Sequence, residues 1–330
     1  MISRKQRSLA WWVLLLSVPV AGQAAAKPCD RVCLSGFVTA YLEALEARQP
    51  SRLPLSVNLR YTENGVAVPI GEALWATVTG IGTYRVDYAD TDAGQIAAHV
   101  SFVEGERAGL MSLRLRIEGG QVSEIETVLN RGAPMATRMP PVEAVWTQVE
   151  PESTRLTRAQ LAAEAENYLK AVSRSDGRLV KFHPDSCLRL ENGNVMAYGP
   201  NDAPAVPLPP VADAGSWQAA VRQTMGMDCA AQLSTGIYGF ITSYDNARFP
   251  VIDVERQVVF GQWNFRRRGD VPGVTFRGKF YPFMDSMRFP NENLLGQAFK
   301  FRAGRILRVQ GVFLNANVYR AGTGWDLPPR

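Results

Sequence analysis

Hydrophobic and polar residues alternate most regularly near the end of the chain. In Leu294–Leu314, Phe299 and Phe301 alternate with Lys300 and Arg302, and beyond Ala303-Gly304 the apolar Val309 and Phe313 alternate with Arg308 and Gln310. A period of two marks strands with one buried face, and glycine at the break supplies the positive φ of a hairpin. The same arrangement stands at Leu113–Leu129. A shift of 184 residues lays Leu115 on Phe299, Ile117 on Phe301, Gly120 on Gly304, Ile125 on Val309 and Val128 on Val312. The chain therefore reads as a duplicated unit that closes on a hairpin.

Each copy has the same order. Helical spacing of Phe37, Tyr41, Leu42 and Leu45 predicts a first helix over Leu34–Ala47. Strand Val57–Thr62 follows, stopped by Glu63-Asn64-Gly65, then a short helical piece, Gly71–Ala76, and strands at Tyr84–Tyr88, Ile96–Val103 and Leu113–Ile117. Residues 132–157, with Pro134, Pro140, Pro141 and Pro151, read as a linker. The order restarts with helix Leu161–Val172, whose Tyr168-Leu169 matches Tyr41-Leu42, and strand Leu188–Glu191 runs into Glu191-Asn192-Gly193. The second copy is longer, through Gly199–Pro210 and the aromatic stretch Arg266–Asn293, which is expected to fold over a pocket mouth or the other copy. The expected units are residues 1–26, a signal peptide; 27–131, a first domain; 132–157, a linker; and 158–330, a second domain with longer insertions.

Composition adds an address. Arg4, Lys5 and Arg7 precede the apolar run Leu9–Ala21, and Ala24-Ala25-Ala26 offers a cleavage site. The run is shorter than the roughly 20 residues that span a bilayer, so export to the periplasm or medium is expected, with no membrane association after cleavage. Residues 1–26 carry three basic residues and no acidic one, which leaves 33 basic against 31 acidic residues in the remainder. That balance gives nucleic acid no handle. Arg266-Arg267-Arg268, the one compact basic run, reads as a solvated loop. Four cysteines in an exported chain predict disulfides; Cys29–Cys33 and Cys187–Cys229 are favoured among three connectivities. His99 and His183 stand apart from the cysteines, so no metal site is expected.

The order of elements, and the closing hairpin above all, resembles the nuclear-transport-factor-2-like superfamily, which includes ketosteroid-isomerase-like and SnoaL-like enzymes. More closely, CDRVCL at 29–34, YTENG at 61–65, GEALW at 71–75, LENG at 190–193, RFPVIDVER at 248–256 and AFKFRAGRILRVQGVFL at 298–314 resemble a secreted tandem-repeat family of unknown function. The resemblance implies an α+β fold of two tandem cone-shaped domains, each a curved antiparallel sheet wrapped around helices. It also implies a pseudo-dimer within one chain, a cavity for a small-molecule ligand or substrate, and chemistry without an organic cofactor.

Candidate chemistry follows from strand faces. Val251, Asp253 and Glu255 share one face, and two carboxylates two residues apart can divide base and acid roles. Asp253, with Glu255, Arg256 and Tyr281, forms the expected catalytic group at the mouth of the second cone; the competing reading is a solvated hairpin tip matching Ala89–Gly94. Tyr61, Trp75, His99, Tyr244 and Asp285 are candidate ligand contacts. Glu63 and Glu191 read as turn residues because the whole tripeptide recurs. The expected function is a cofactor-independent lyase, dehydratase or isomerase. A ligand-binding accessory protein and a purely structural pair of cones are the alternatives.

Overall fold

The computed structural model describes residues 29–132, 139–202, 211–316, 320 and 322–325; the expected signal peptide lies outside them. The chain is an α+β protein with two six-stranded sheets. In the first half, helix α1 (Arg31–Glu46) precedes β1 (Leu55–Glu63), β2 (Val66–Ala67), the single turn α2 (Leu74–Thr77), and β3 (Val78–Asp90) to β6 (Gln121–Asn130) through β4 (Gln95–Glu104) and β5 (Arg107–Glu118). The second half repeats this with α3 (Arg158–Arg174), β7 (Leu188–Glu191), β8 (Asn194–Tyr198), α4 (Trp217–Thr224) and α5 (Cys229–Leu233). It continues with β9 (Ser243–Asp253), β10 (Val258–Arg267), the extra hairpin β11 (Gly273–Phe276) and β12 (Lys279–Pro282), β13 (Asn291–Arg302) and β14 (Arg305–Ala316).

The helices start where the side chains dictate. Asp30 accepts from the Cys33 amide to cap α1, and Thr157 with Gln160 forms a capping box on α3. Each helix then buries one stripe, Leu34, Val38, Tyr41, Leu42 and Leu45 in α1 and Leu161, Ala165, Tyr168, Leu169 and Val172 in α3, against the inner face of its own sheet.

The strand orders are β2-β1-β6-β5-β4-β3 and β8-β7-β14-β13-β10-β9. The sheets are not wholly antiparallel, as the resemblance implied: β1 runs parallel to β6, and β7 to β14. Both parallel junctions join the first long strand of a copy to its last, and no hairpin can make that connection. The equivalent rungs, Tyr61 on Ile125 and Glu63 on Thr127, then Arg189 on Val309 and Glu191 on Gly311, fix the correspondence between the copies residue by residue.

The outer faces of the two sheets pack on each other. Tyr84, Val86, Tyr88 and Ala97 meet Val251, Val258, Phe260, Ala298 and Leu307, with Val145 and Trp146 of the connecting segment wedged beside them. Two ion pairs clamp the halves at matching places. Arg158, at the start of α3, holds the turn residue Asp90 through both carboxylate oxygens at 2.7 Å. Arg31, at the start of α1, holds the corresponding Asp253 at 2.6 Å and Glu255 at 2.9 Å.

The disulfides are Cys29–Cys33, before α1, and Cys187–Cys229, which ties the start of β7 to α5 across 42 residues. Bridges of this kind form in an oxidising compartment. No helix among the described residues is long and apolar enough to cross a membrane.

Candidate functional site

The second cone holds a cavity of about 1020 Å³. Its walls are apolar: Phe265 of β10, Leu295 of β13 and Phe313 of β14 on the sheet side, and Val221, Phe240 and Ile241 from the segment that carries α4. The insertion between β10 and β13 contributes Met284 and Met287, and β11 and β12 pack on α4 above it. Past the edge strands the cavity reaches the connecting segment at Pro140, Pro141 and Glu143. A large, mostly apolar cavity with a few convergent polar groups is the usual form of a small-molecule site.

The polar groups come from alternate positions of β7 and from the end of β10. Arg189 is 1 % exposed and saturated with partners. Its Nε donates to the Tyr168 hydroxyl at 3.1 Å, its Nη1 to Gln232 Oε1 at 2.7 Å, and its Nη2 to Glu191 Oε1 at 3.1 Å. The guanidinium also lies 4.9 Å from the centre of the Tyr238 ring. Burial pulls the Arg189 pKa down, but the surrounding Tyr168, Tyr238 and Glu191 hold it above its ordinary value.

Glu191 sits two residues on, at the cavity wall, with a fifth of its side-chain surface open. Burial pushes its pKa above the ordinary carboxylate value, against the pull of Arg189 and Arg267. Arg267, the last residue of β10, is 4 % exposed. Its Nη2 donates to Asn315 Oδ1 at 3.2 Å, and its guanidinium stacks 5.0 Å from the centre of the Phe240 ring. Burial lowers its pKa to about 10, with Glu191 opposing, so it remains a cation at neutral pH. Arg267 Nε, Asn293 Oδ1 and Gln297 Oε1 are buried without a hydrogen-bond partner on the cavity lining.

The residues singled out from the sequence lie elsewhere. Asp253 is buried under Arg31 and also accepts from the Arg256 amide, so it closes its own turn and joins the two halves. Glu255 is largely exposed beside it. Burial, with Arg31 nearby, lowers the pKa of Arg256. The Tyr281 hydroxyl takes a hydrogen bond from Gln223 at 2.8 Å, which fastens β12 to α4. The expectation that these four meet at the cavity mouth is thus corrected: none of them lines it.

His99 likewise does not line the cavity. It is completely buried between the halves, bridging the Tyr88 hydroxyl at Nδ1 (3.1 Å) and the Gly296 carbonyl at Nε2 (3.0 Å). Burial lowers its pKa to about 4, so it is neutral, with Nε2–H donating to the carbonyl. Tyr61 and Trp75 fill the interior of the first cone, where Trp75 packs edge-on against Tyr41. The Tyr244 hydroxyl donates to Glu166 at 3.0 Å, and the side chain of Asp285 is fully exposed. Neither lines the cavity.

Two charged residues that do line it are ones the sequence assigns to a turn, Glu191, or to a solvated loop, Arg267. Arg267 belongs to the basic run that reads as a solvated loop, but it follows Trp263 and Phe265 at the strand period and so points inward with them. That spacing is the signal that could have placed it. Arg189 and Glu191 share one face of β7 by the same rule.

Among solved structures, AclR from Streptomyces galilaeus, described as a candidate hydroxylase, aligns with 52 % of this chain and 91 % of its own at 16 % identity and a TM-score of 0.26. The curated proteins contain no match. Residues 154–313, from just before α3 into β14, match the model of a family described as a domain of unknown function, DUF8021.

Proposed function

We propose that this protein processes a small molecule in the second cone, as an exported lyase, dehydratase or isomerase in which Glu191 transfers the proton. The observation that carries the reading is a carboxylate with a raised pKa, set between two buried guanidinium groups in a cavity of about 1020 Å³. A carboxylate shielded from bulk water is a stronger base than one on the surface, and at a raised pKa it can also return the proton as an acid. Arg189 holds Glu191 in place, and Tyr168 and Tyr238, whose hydroxyl oxygens accept from Arg189, offer their O–H groups to an oxygen that becomes negative in the transition state. These side chains supply proton transfer and anion stabilisation, the two elements of enolisation, β-elimination and double-bond migration. The disulfides support export, because an oxidising compartment is where such bridges persist.

The test is a screen of small hydroxy and keto acids for proton exchange with solvent deuterium, followed by NMR, on the native chain and on Glu191→Gln. The native chain should exchange at least one substrate, with a rate that rises with pH through the raised Glu191 pKa. Glu191→Gln should lose about 10²- to 10⁴-fold in rate. Equal rates in the two proteins would sink the catalytic role. Binding without exchange in either protein would favour the accessory, ligand-binding reading.

A further inference from the structure

We infer that the ligand of this cavity is an amphipathic carboxylic acid whose carboxylate docks on Arg267. The inference rests on the reading that the second-cone cavity is the functional site, and it names what that site selects. It starts from charge. Arg189 is neutralised locally, because its Nη2 bonds Glu191 and its other nitrogens are taken by Tyr168 and Gln232. Arg267 is not. Among the described residues its hydrogen bond goes to an amide oxygen, Asn315 Oδ1, and no carboxylate pairs with it. A cation that is 4 % exposed with an unpartnered Nε is costly to bury. A ligand anion would relieve that cost.

The first cone shows what the same position looks like when it is closed. Glu104 is the strand neighbour of Arg107 as Arg267 is of Asn291, so Arg267 stands where the first copy has Glu104. Asn315 stands in the same way where the first copy has Arg131, one residue beyond the rung that pairs Leu110 with Asn130 and Leu294 with Leu314. In the first cone Arg131 bridges Glu104 at 2.7 Å and Glu63 at 2.8 Å, and the charges are satisfied within the chain. In the second cone the cation stands on the other strand facing Asn315, and Glu191, in the position of Glu63, bonds Arg189, so two cations stand around one carboxylate. Asn293, beside it on the lining, offers a further amide.

The groups around Arg267 select the headgroup. One guanidinium flanked by two amides suits a planar monoanion with two oxygens. A dianionic phosphate would leave a negative charge facing Glu191. The walls of Phe240, Phe265, Leu295 and Phe313 select an apolar or aromatic body.

The experiment is calorimetric titration of the purified full chain, near neutral pH, with phenylacetate and decanoate, each against its primary amide. At least one acid should bind about tenfold or more tightly than its amide. Arg267→Met should erase that preference while leaving amide binding in place. Asn315→Asp should erase it too, by giving Arg267 a carboxylate within the chain, and this variant carries the test if circular dichroism shows Arg267→Met unfolded. Glu191→Gln should keep or strengthen the preference, so a failure of the catalytic reading leaves this one standing, and the reverse. Amides that bind as tightly as acids, no acid that saturates at millimolar concentration, or a preference that survives in both Arg267→Met and Asn315→Asp would each overturn the inference.

Discussion

Glu63 and Glu191 occupy the same rung of the two sheets, end the same kind of strand and precede the same Asn-Gly turn, yet they live in different chemistry. Glu63 accepts from the Tyr61 hydroxyl at 3.1 Å, the Leu74 amide at 3.0 Å and Arg131 at 2.8 Å. Its environment is a solved hydrogen-bond problem, and the short helix α2 that supplies one donor also brings Trp75 into the space above. Glu191 has Arg189 in the place of Tyr61, and a cavity where the first cone has Trp75 and its neighbours. The framework is common to both copies. The polar groups that could act on a ligand arise from a few inward positions at which the second copy departs from the first.

That contrast can be broken in several ways. The largest expected effect is on turnover: Glu191→Gln should remove the about 10²- to 10⁴-fold contributed by proton transfer, while Glu63→Gln should leave turnover intact and cost about 1–2 kcal/mol of stability through its buried donors. Parallel kinetics and urea unfolding on both variants would check this, and a Glu63→Gln protein with normal stability and no turnover would reverse the assignment of the two cones.

The disulfides sharpen the same comparison. Cys187→Ser with Cys229→Ser opens a loop of 42 residues and should cost about 3–4 kcal/mol, whereas Cys29→Ser with Cys33→Ser opens one of 4 and should cost about 2 kcal/mol. Denaturant midpoints read the difference.

The third test lies between the cones. His99 is held neutral with a pKa of about 4 against 6.5 when free. The unfolded chain therefore binds a proton that the folded chain refuses. The stability His99 permits is complete above pH 6.5 and drains away as pH falls toward 4, by roughly 3 kcal/mol over that window. His99→Gln, which copies the residue at the corresponding rung of β10, Gln262, should flatten this part of the profile.

The smallest effects belong to the two clamps. Asp90→Asn should cost about 2 kcal/mol, since Asp90 also accepts from the Ile252 amide across the junction. Asp253→Asn should cost about 1 kcal/mol and leave turnover unchanged; loss of turnover in a stable Asp253→Asn protein would restore that residue to the site.

Much of the fold was legible. Alternation at Leu294–Leu314 and Leu113–Leu129, helical spacing in Tyr41 and Tyr168, and an even count of four cysteines all lead to elements that the structure contains. The site was not, for a physical reason. A period of two separates the faces of a strand but does not say what covers each face. The polar face of β4 that holds His99 meets the other sheet rather than water, and the charged positions Arg189 and Arg267 line an interior cavity rather than a surface. Asp253 and Glu255 were conspicuous because turn residues are polar, and the partner that occupies them, Arg31, is 222 residues away from Asp253 in the chain. The recurrence of Glu-Asn-Gly pointed to a turn and was right about the backbone; it carried no information about the guanidinium two residues earlier.

Near the centre of the junction, Ser112 of β5 faces Gly296 of β13, and these two positions are equivalent under the shift that relates the copies. A methyl group built on Gly296 would stand 1.9 Å from Ser112 Oγ. In an assembly of identical halves the residue at this place would have to face itself, and serine against serine would not fit. Covalent fusion lifts that requirement. One copy keeps a hydroxyl, the other gives up its side chain, and the same carbonyl is free to receive His99. Once the axis no longer has to be a true axis, each half can drift on its own, and one can close around its aromatic core while the other stays open.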